Sequence, residues 1–181
     1  MQRLFLPDGP WPMFWMEKIL PNIVSLTAKH PERTIFTRFV PVNKPEDAVG
    51  AWKRYYKRWN DVTLSNLERT YVELVPELQG FVPPARVVDK WVYSPWTEER
   101  LQTQLAGAGI STLIITGGET DVCVLAAVMG AIDRGYRTII VEDAVCGSAD
   151  QTHDALMTVY RSRFTEQVEL ATTEEVLNGW R

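Results

Sequence analysis

Residues Leu113–Val124 read LIITGGETDVCV and run directly into LAAVMGAIDRGYRTIIVEDA, which ends at Ala144. An apolar run closes in a Gly-Gly turn, and Cys123 follows in the first turn of an expected helix. Leu125, Val128 and Ile132 recur at helical spacing, and Gly135 marks the stop before a second apolar run, Arg137–Glu142. Strand, helix and strand in that order form a right-handed βαβ crossover, so the two strands lie parallel. Their continuous apolar character is that of strands buried on both faces of a sheet. A thiol at a helix N-terminus faces unpaired N–H groups and the positive end of the helix dipole. Both favour thiolate, so Cys123 reads as a nucleophile.

The same alternation extends outward. Thr34–Arg38, Ala85–Asp89 and Gln167–Ala171 are further strand-like runs with helical patterns between them. A helix is expected to begin near Ser148, where Ser148 and Gln151 fit a capping box. Together these predict an α/β fold, a three-layer sandwich whose central parallel sheet is flanked by helices in a Rossmann-like topology. Residues 1–181 carry no repeat, low-complexity tract or linker, and their length suits one domain. The stretch Pro41–Pro84 breaks the pattern, with no clear strand. So long an excursion is expected to be a lid, a binding loop or a subunit contact.

Composition narrows the function classes. A net charge of −4 argues against nucleic-acid or membrane-surface binding. The basic aromatic run Lys53–Trp59 accordingly reads as an amphipathic helix. No apolar run approaches the roughly 18 residues of a membrane span. The two cysteines, Cys123 and Cys146, make no disulfide framework and suit a reducing cytoplasm. His30 and His153 are too few and too scattered for a zinc site, so a metal-free, cofactor-free protein acting on a small molecule is expected.

Four segments, taken in order, resemble the isochorismatase-like cysteine hydrolase family: FTRF at Phe36–Phe39, VVDKWVYSPW at Val87–Trp96, GGETDVCV at Gly117–Val124 and GYRTIIVEDA at Gly135–Ala144. The resemblance spans nearly the whole chain and implies a parallel sheet between helical layers and a homodimer or homotetramer. It implies Cys123 as catalytic nucleophile, Lys90 as catalytic lysine and a non-proline cis peptide joining Gly118 and Glu119. The backbone N–H groups of Glu119 and Cys123 would then form an oxyanion hole. The implied activity is cleavage of a C–N bond other than a peptide bond, in a small amide, carbamoyl or ureido compound, through a thioester. The alternatives are vinyl-ether hydrolysis of an isochorismate-like compound, or a non-catalytic oligomeric binding protein of the same fold.

The departure from the family lies at the start. The family aspartate precedes a Met-Gln pair at the end of the first strand, and here Met1-Gln2 opens the sequence. The resemblance therefore places that aspartate just ahead of Met1, with three readings open: a start farther upstream, a short chain without hydrolase activity, or a replacement carboxylate. Asp8 and Asp89 are the candidates for the last, although strand alternation points Asp89 away from Lys90. Without the first strand, two neighbouring strands would lose a ladder partner.

Aromatic residues cluster beside the expected site. Phe5, Trp11, Phe14 and Trp15 lie in the N-terminal loop, and Trp91, Tyr93 and Trp96 follow Lys90. Phe5, Trp11, Trp15, Trp91 and Tyr93 are the expected substrate-binding residues, with a flat small substrate between rings. Arg38 is expected either to pair with a substrate carboxylate or to form a structural salt bridge. Cys146 reads as structural, Asp143 as a loop brace and His153 as a packing or hydrogen-bonding histidine. RFVPVNKPED after the second strand lacks the D-x-H unit of metal-containing nicotinamidase-like relatives, which supports a metal-free site.

Overall fold

Five parallel strands alternate with helices along the computed structural model, which describes residues 1–181. The strands are β1 (Ile35–Phe39), β2 (Arg86–Lys90), β3 (Thr112–Gly118), β4 (Arg137–Cys146) and β5 (Val168–Ala171). Each lies within two residues of its expected start. The helices are α1 (Met16–Lys29), α2 (Trp52–Arg58), α3 (Pro76–Gln79), α4 (Glu99–Gly107), α5 (Leu125–Asp133), α6 (Asp150–Arg163) and α7 (Thr173–Gly179). Asp150 opens α6 behind Ala149, and Ser148 makes no cap, so the expected capping box is not formed. Gly135 ends α5 at φ 77°, a backbone conformation that glycine adopts without strain.

The strands form two sheets. β1 pairs with β2 from Ile35↔Arg86 to Phe39↔Lys90, and β3 with β4 and β4 with β5 form the second. Backbone direction shows which edges stay open. Arg86 donates its N–H to Thr34 and Val40 to Lys90, so in this alternating pattern the peptides of Ile35, Thr37 and Phe39 point away from β2. Arg137 donates to Ser111, which likewise turns Thr112, Ile114 and Thr116 away from β4. At Phe39 the buried Gln2 side chain takes the place of a strand: it donates to the Phe39 carbonyl and accepts from the Phe39 N–H, both at 2.8 Å. Its amide also donates to the Val72 carbonyl at 2.8 Å.

This arrangement corrects one expectation. β4 is largely buried, but Leu113, Ile114 and Ile115 of β3 are only half-buried and Thr37 of β1 is exposed. The apolar run implies cover on both faces, whereas β3, with a ladder partner on one edge only, stays partly accessible.

Helices cover both faces. Met16, Ile19, Leu20 and Ile23 of α1 pack with Phe36, Val141 and Ala144 on one side. On the other, Leu101 and Leu105 of α4 meet Val88 and Ala131, while Val128 of α5 and Met157 and Tyr160 of α6 enclose Ile140 and Val168. The excursion builds a small core of its own, in which Tyr56, Val62, Leu67 and Val72 surround Leu4 and Phe39 at the carboxyl end of β1. That core carries α2 across the end of the sheet. No helix is long and apolar enough to cross a membrane.

One close contact in α5 yields a stability prediction. A Cβ on Gly130 would stand 2.1 Å from the Trp96 ring, which is 9% exposed and donates its indole N–H to the Ala127 carbonyl. Gly130→Ala gains about 1 kcal/mol of helix propensity, but overpacking costs about 1–3 kcal/mol. Since the ring is held on both sides, by Tyr136 at 5.9 Å and Arg134 at 4.7 Å, the steric cost is expected to win. Thermal melting should show a Tm lowered by a few degrees, at about 2–4 °C per kcal/mol; an unchanged or raised Tm would refute the packing argument.

Candidate active site

The turn between β3 and α5 holds the chemistry. Gly117 adopts φ 104°, the Gly118–Glu119 peptide is cis, and Thr120–Val124 forms a π-helical turn that continues into α5. Glycine at 118 also permits close packing, because a Cβ there would lie 2.6 Å from the Met13 sulfur. The N–H groups of Val122 and Val124 both donate to the Glu119 carbonyl, which ties the turn to itself. His153 braces it from α6, with Nδ1 2.8 Å from the hydroxyl of the fully buried Thr120.

Cys123 leaves this turn half-buried, facing the end of β2. Lys90, the last residue of β2, is 3% exposed and donates its ammonium to the carbonyls of Val92 and Tyr93. Burial pushes the Cys123 thiol above its ordinary value of 9.0. The Lys90 ammonium is the largest opposing influence; at Glu119 the carboxylate adds to the upward push, while the backbone N–H favours the thiolate. This corrects the expectation of an acidic thiol at the helix start, because desolvation outweighs the favourable charges around the sulfur. Cys146 lies in the core, and burial lifts its thiol to about 12, in keeping with a structural role.

A cavity of about 480 Å³ opens over Cys123. Its walls are Phe5, Pro10, Trp11 and Pro12 of the N-terminal loop, Phe39 of β1, Tyr55 and Trp59 of the excursion, Tyr93 after β2, and Glu119 and Ser148 beside the thiol. The rings touch one another: Trp11 lies 6.4 Å from Phe5, 6.2 Å from Phe39 and 6.0 Å from both Tyr55 and Trp59.

Phe5, Trp11 and Tyr93 therefore stand in the cavity with Cys123, whereas three expected substrate contacts do not. Trp15 donates its indole N–H to Asp150 at 2.7 Å and borders a separate cleft with Phe14 and Ser148. Trp91 is 47% exposed and lies outside the cavity walls. Arg38 forms its salt bridge instead, holding Asp89 with two donors at 2.7 and 3.1 Å and Glu73 at 2.8 Å. Trp96, counted among the aromatic cluster, belongs to the core between α4 and α5. Neither replacement carboxylate reaches the thiol, since Asp89 is bound to Arg38 and Asp8 is exposed. Tyr55 and Trp59 escaped sequence reading because they lie far from the motifs along the chain and show only helical, aromatic character. Glu119 is expected only for its backbone N–H, and the structure adds the residue to the cavity wall.

A model of the isochorismatase domain matches residues 1–174. The chain belongs to the isochorismatase family. The likeness covers the elements that carry Cys123 and Lys90. Among curated relatives, "Nicotinamidase 3" of Arabidopsis thaliana is 30% identical over 86 residues, 47% of this chain and 43% of that protein, so the match spans less than half of the relative's length. Among solved structures, a cysteine hydrolase from Pseudomonas syringae pv. phaseolicola 1448A superposes with a TM-score of 0.82 at 22% identity, covering 98% of this chain and 87% of that one. N-carbamoylsarcosine amidase from Thermoplasma acidophilum does so with a TM-score of 0.76 at 17% identity, over 96% and 92% of the two chains. At those identities the solved structures establish the isochorismatase-like fold.

Proposed function

We propose that this isochorismatase-family hydrolase cleaves the C–N bond of a small amide, carbamoyl or ureido compound through a thioester on Cys123. The observation that carries the reading is a half-buried thiol at the wall of an aromatic cavity with the Lys90 ammonium beside it. Curated relatives that bear the names nicotinamidase and maleamate amidohydrolase support the reading.

The chemistry follows from that placement. The thiol must lose its proton to attack, and Glu119 is the carboxylate in the cavity wall that can accept it. The sulfur then bonds to the carbonyl carbon, and the carbonyl electrons move to oxygen, where the N–H groups of Glu119 and Cys123 stabilise them. As the C–N bond breaks, the proton held by Glu119 passes to the leaving nitrogen, giving ammonia or an amine and a thioester. Water gives a proton to the same carboxylate, attacks the thioester and releases the acid, while the thiol is regenerated. Lys90 stabilises the thiolate stage of both half-reactions.

Acid-quenched mixtures with a panel of small aromatic amides and ureas, analysed by intact mass, test the proposal. The expected result is an acyl adduct on the Cys123 peptide together with released ammonia or amine. Turnover of an amide with no adduct at any quench time would rule out the covalent route. A thiol-free route on a vinyl ether is disfavoured because protonation of such a substrate has no use for a half-buried thiol beside an ammonium.

A further inference from the structure

The cavity carries an uneven charge pattern. Phe5, Trp11, Phe39, Tyr55, Trp59 and Tyr93 supply ring faces, and neither lysine, arginine nor histidine lines the walls. Glu119 is the charged side chain there, and it forms no ion pair and no side-chain hydrogen bond. Lys90 lies outside the walls, 3% exposed, and donates to the carbonyls of Val92 and Tyr93. Arg38, the other cation near β1, is held by Asp89 and Glu73. A substrate entering the cavity therefore meets electron-rich ring faces and a carboxylate that has no ion-pair partner, with the Lys90 charge set behind the wall, surroundings that attract an organic cation and repel an anion.

We infer that this hydrolase selects substrates by charge: its amide, carbamoyl or ureido compound carries a cationic nitrogen, an ammonium or a protonated heterocycle, at the end that does not react, and Glu119 with the aromatic walls rejects carboxylate-bearing compounds. The inference rests on the amide-cleaving reading for its substrate, but the electrostatics of the cavity are open to measurement without turnover. Cavity size agrees, because 480 Å³ holds a small molecule with one ring or a few branched carbons.

Three methanethiosulfonates of similar size supply that measurement: the cationic trimethylammonioethyl, the neutral ethyl and the anionic sulfonatoethyl reagent. In each, the thiolate attacks the sulfenyl sulfur, forms a mixed disulfide and expels methanesulfinate. Rates are read from the Cys123 peptide by mass, which separates it from the buried Cys146. The expected cation-to-anion rate ratio exceeds that of 2-mercaptoethanol by about tenfold or more. Glu119→Gln should bring the ratio toward the mercaptoethanol value, and Glu119→Asp should restore part of it. Because a ratio is read, a general slowing from the altered turn does not disturb the result. A ratio at or below that of mercaptoethanol overturns the inference, as does a ratio that Glu119→Gln leaves unchanged. Matched aromatic amides bearing an ammonium, no charge or a carboxylate complete the test. Equal or better kcat/KM for the carboxylate member overturns the selection while leaving amide cleavage standing. A retained probe ratio with no amide turned over supports the cation site and rejects the amide-cleaving reading.

Discussion

Cys123→Ala is expected to reduce amide turnover by a factor on the order of 10⁴ or more, with no acyl adduct in quenched mixtures. The size follows from the role. Removing the nucleophile leaves only substrate positioning and the N–H groups of the turn, and water would have to attack an unactivated amide directly. Folding should barely change. Cys123 is half-buried beside an open cavity, and Val124 and Val128, the residues of this segment that fill the core, are untouched. A melting curve within about 1 kcal/mol of the parent, the scale of ordinary substitutions outside a packed core, would separate lost chemistry from lost structure. Cys123→Ser is expected to be nearly as inactive, since an alcohol is a far weaker acid than a thiol and the same burial opposes its ionisation. Turnover within tenfold of the parent in the alanine variant would sink covalent catalysis.

The parts of this site legible in the sequence were those whose signals are local. The βαβ run from Leu113 to Ala144 placed β3, α5 and β4, because apolar continuity and helical spacing are properties of neighbouring residues. Lys90 and Cys123 were found by their motifs, each at the end of an element whose direction the alternation already set. Strand alternation also placed Asp89 away from Lys90, and its ion pair with Arg38 follows from that geometry.

What stayed hidden depends on contacts between distant segments. Tyr55 and Trp59 reach the cavity only because Tyr56, Val62 and Val72 fold the excursion around Leu4 and Phe39. Trp96 looked like Tyr93, three residues away, yet one faces the cavity and the other fills the space above Gly130. Arg38 had the right chemistry for a substrate carboxylate, and two acidic neighbours from β2 and the excursion had already claimed it. The acidity of Cys123 stays hidden for the same reason. A helix start is visible in sequence, but the walls that exclude water from the sulfur are not.

That desolvation makes Lys90 the residue on which thiol reactivity turns. Burial holds the Cys123 thiol above its ordinary value, and the Lys90 ammonium is the largest opposing influence. Lys90→Met keeps the length and apolar stem of the side chain but removes that charge, so the thiol must move further upward. The sign is fixed because the thiolate is the reactive form: at any pH below the thiol value, a higher value leaves less of it. In the parent, alkylation of Cys123 by iodoacetamide should still be rising with pH as it passes neutrality. In Lys90→Met the whole curve should shift to higher pH, with the rate at pH 8 down by about tenfold or more, equivalent to at least one unit. Amide turnover should fall further, on the order of 10²–10³, because the transition state loses the ammonium as well as the thiolate. Stability gives the control. The substitution strips donors from the Val92 and Tyr93 carbonyls but also removes a buried charge, two effects of opposite sign. A folded variant with an unshifted alkylation profile would show that Lys90 anchors the loop after β2 and does not tune the nucleophile.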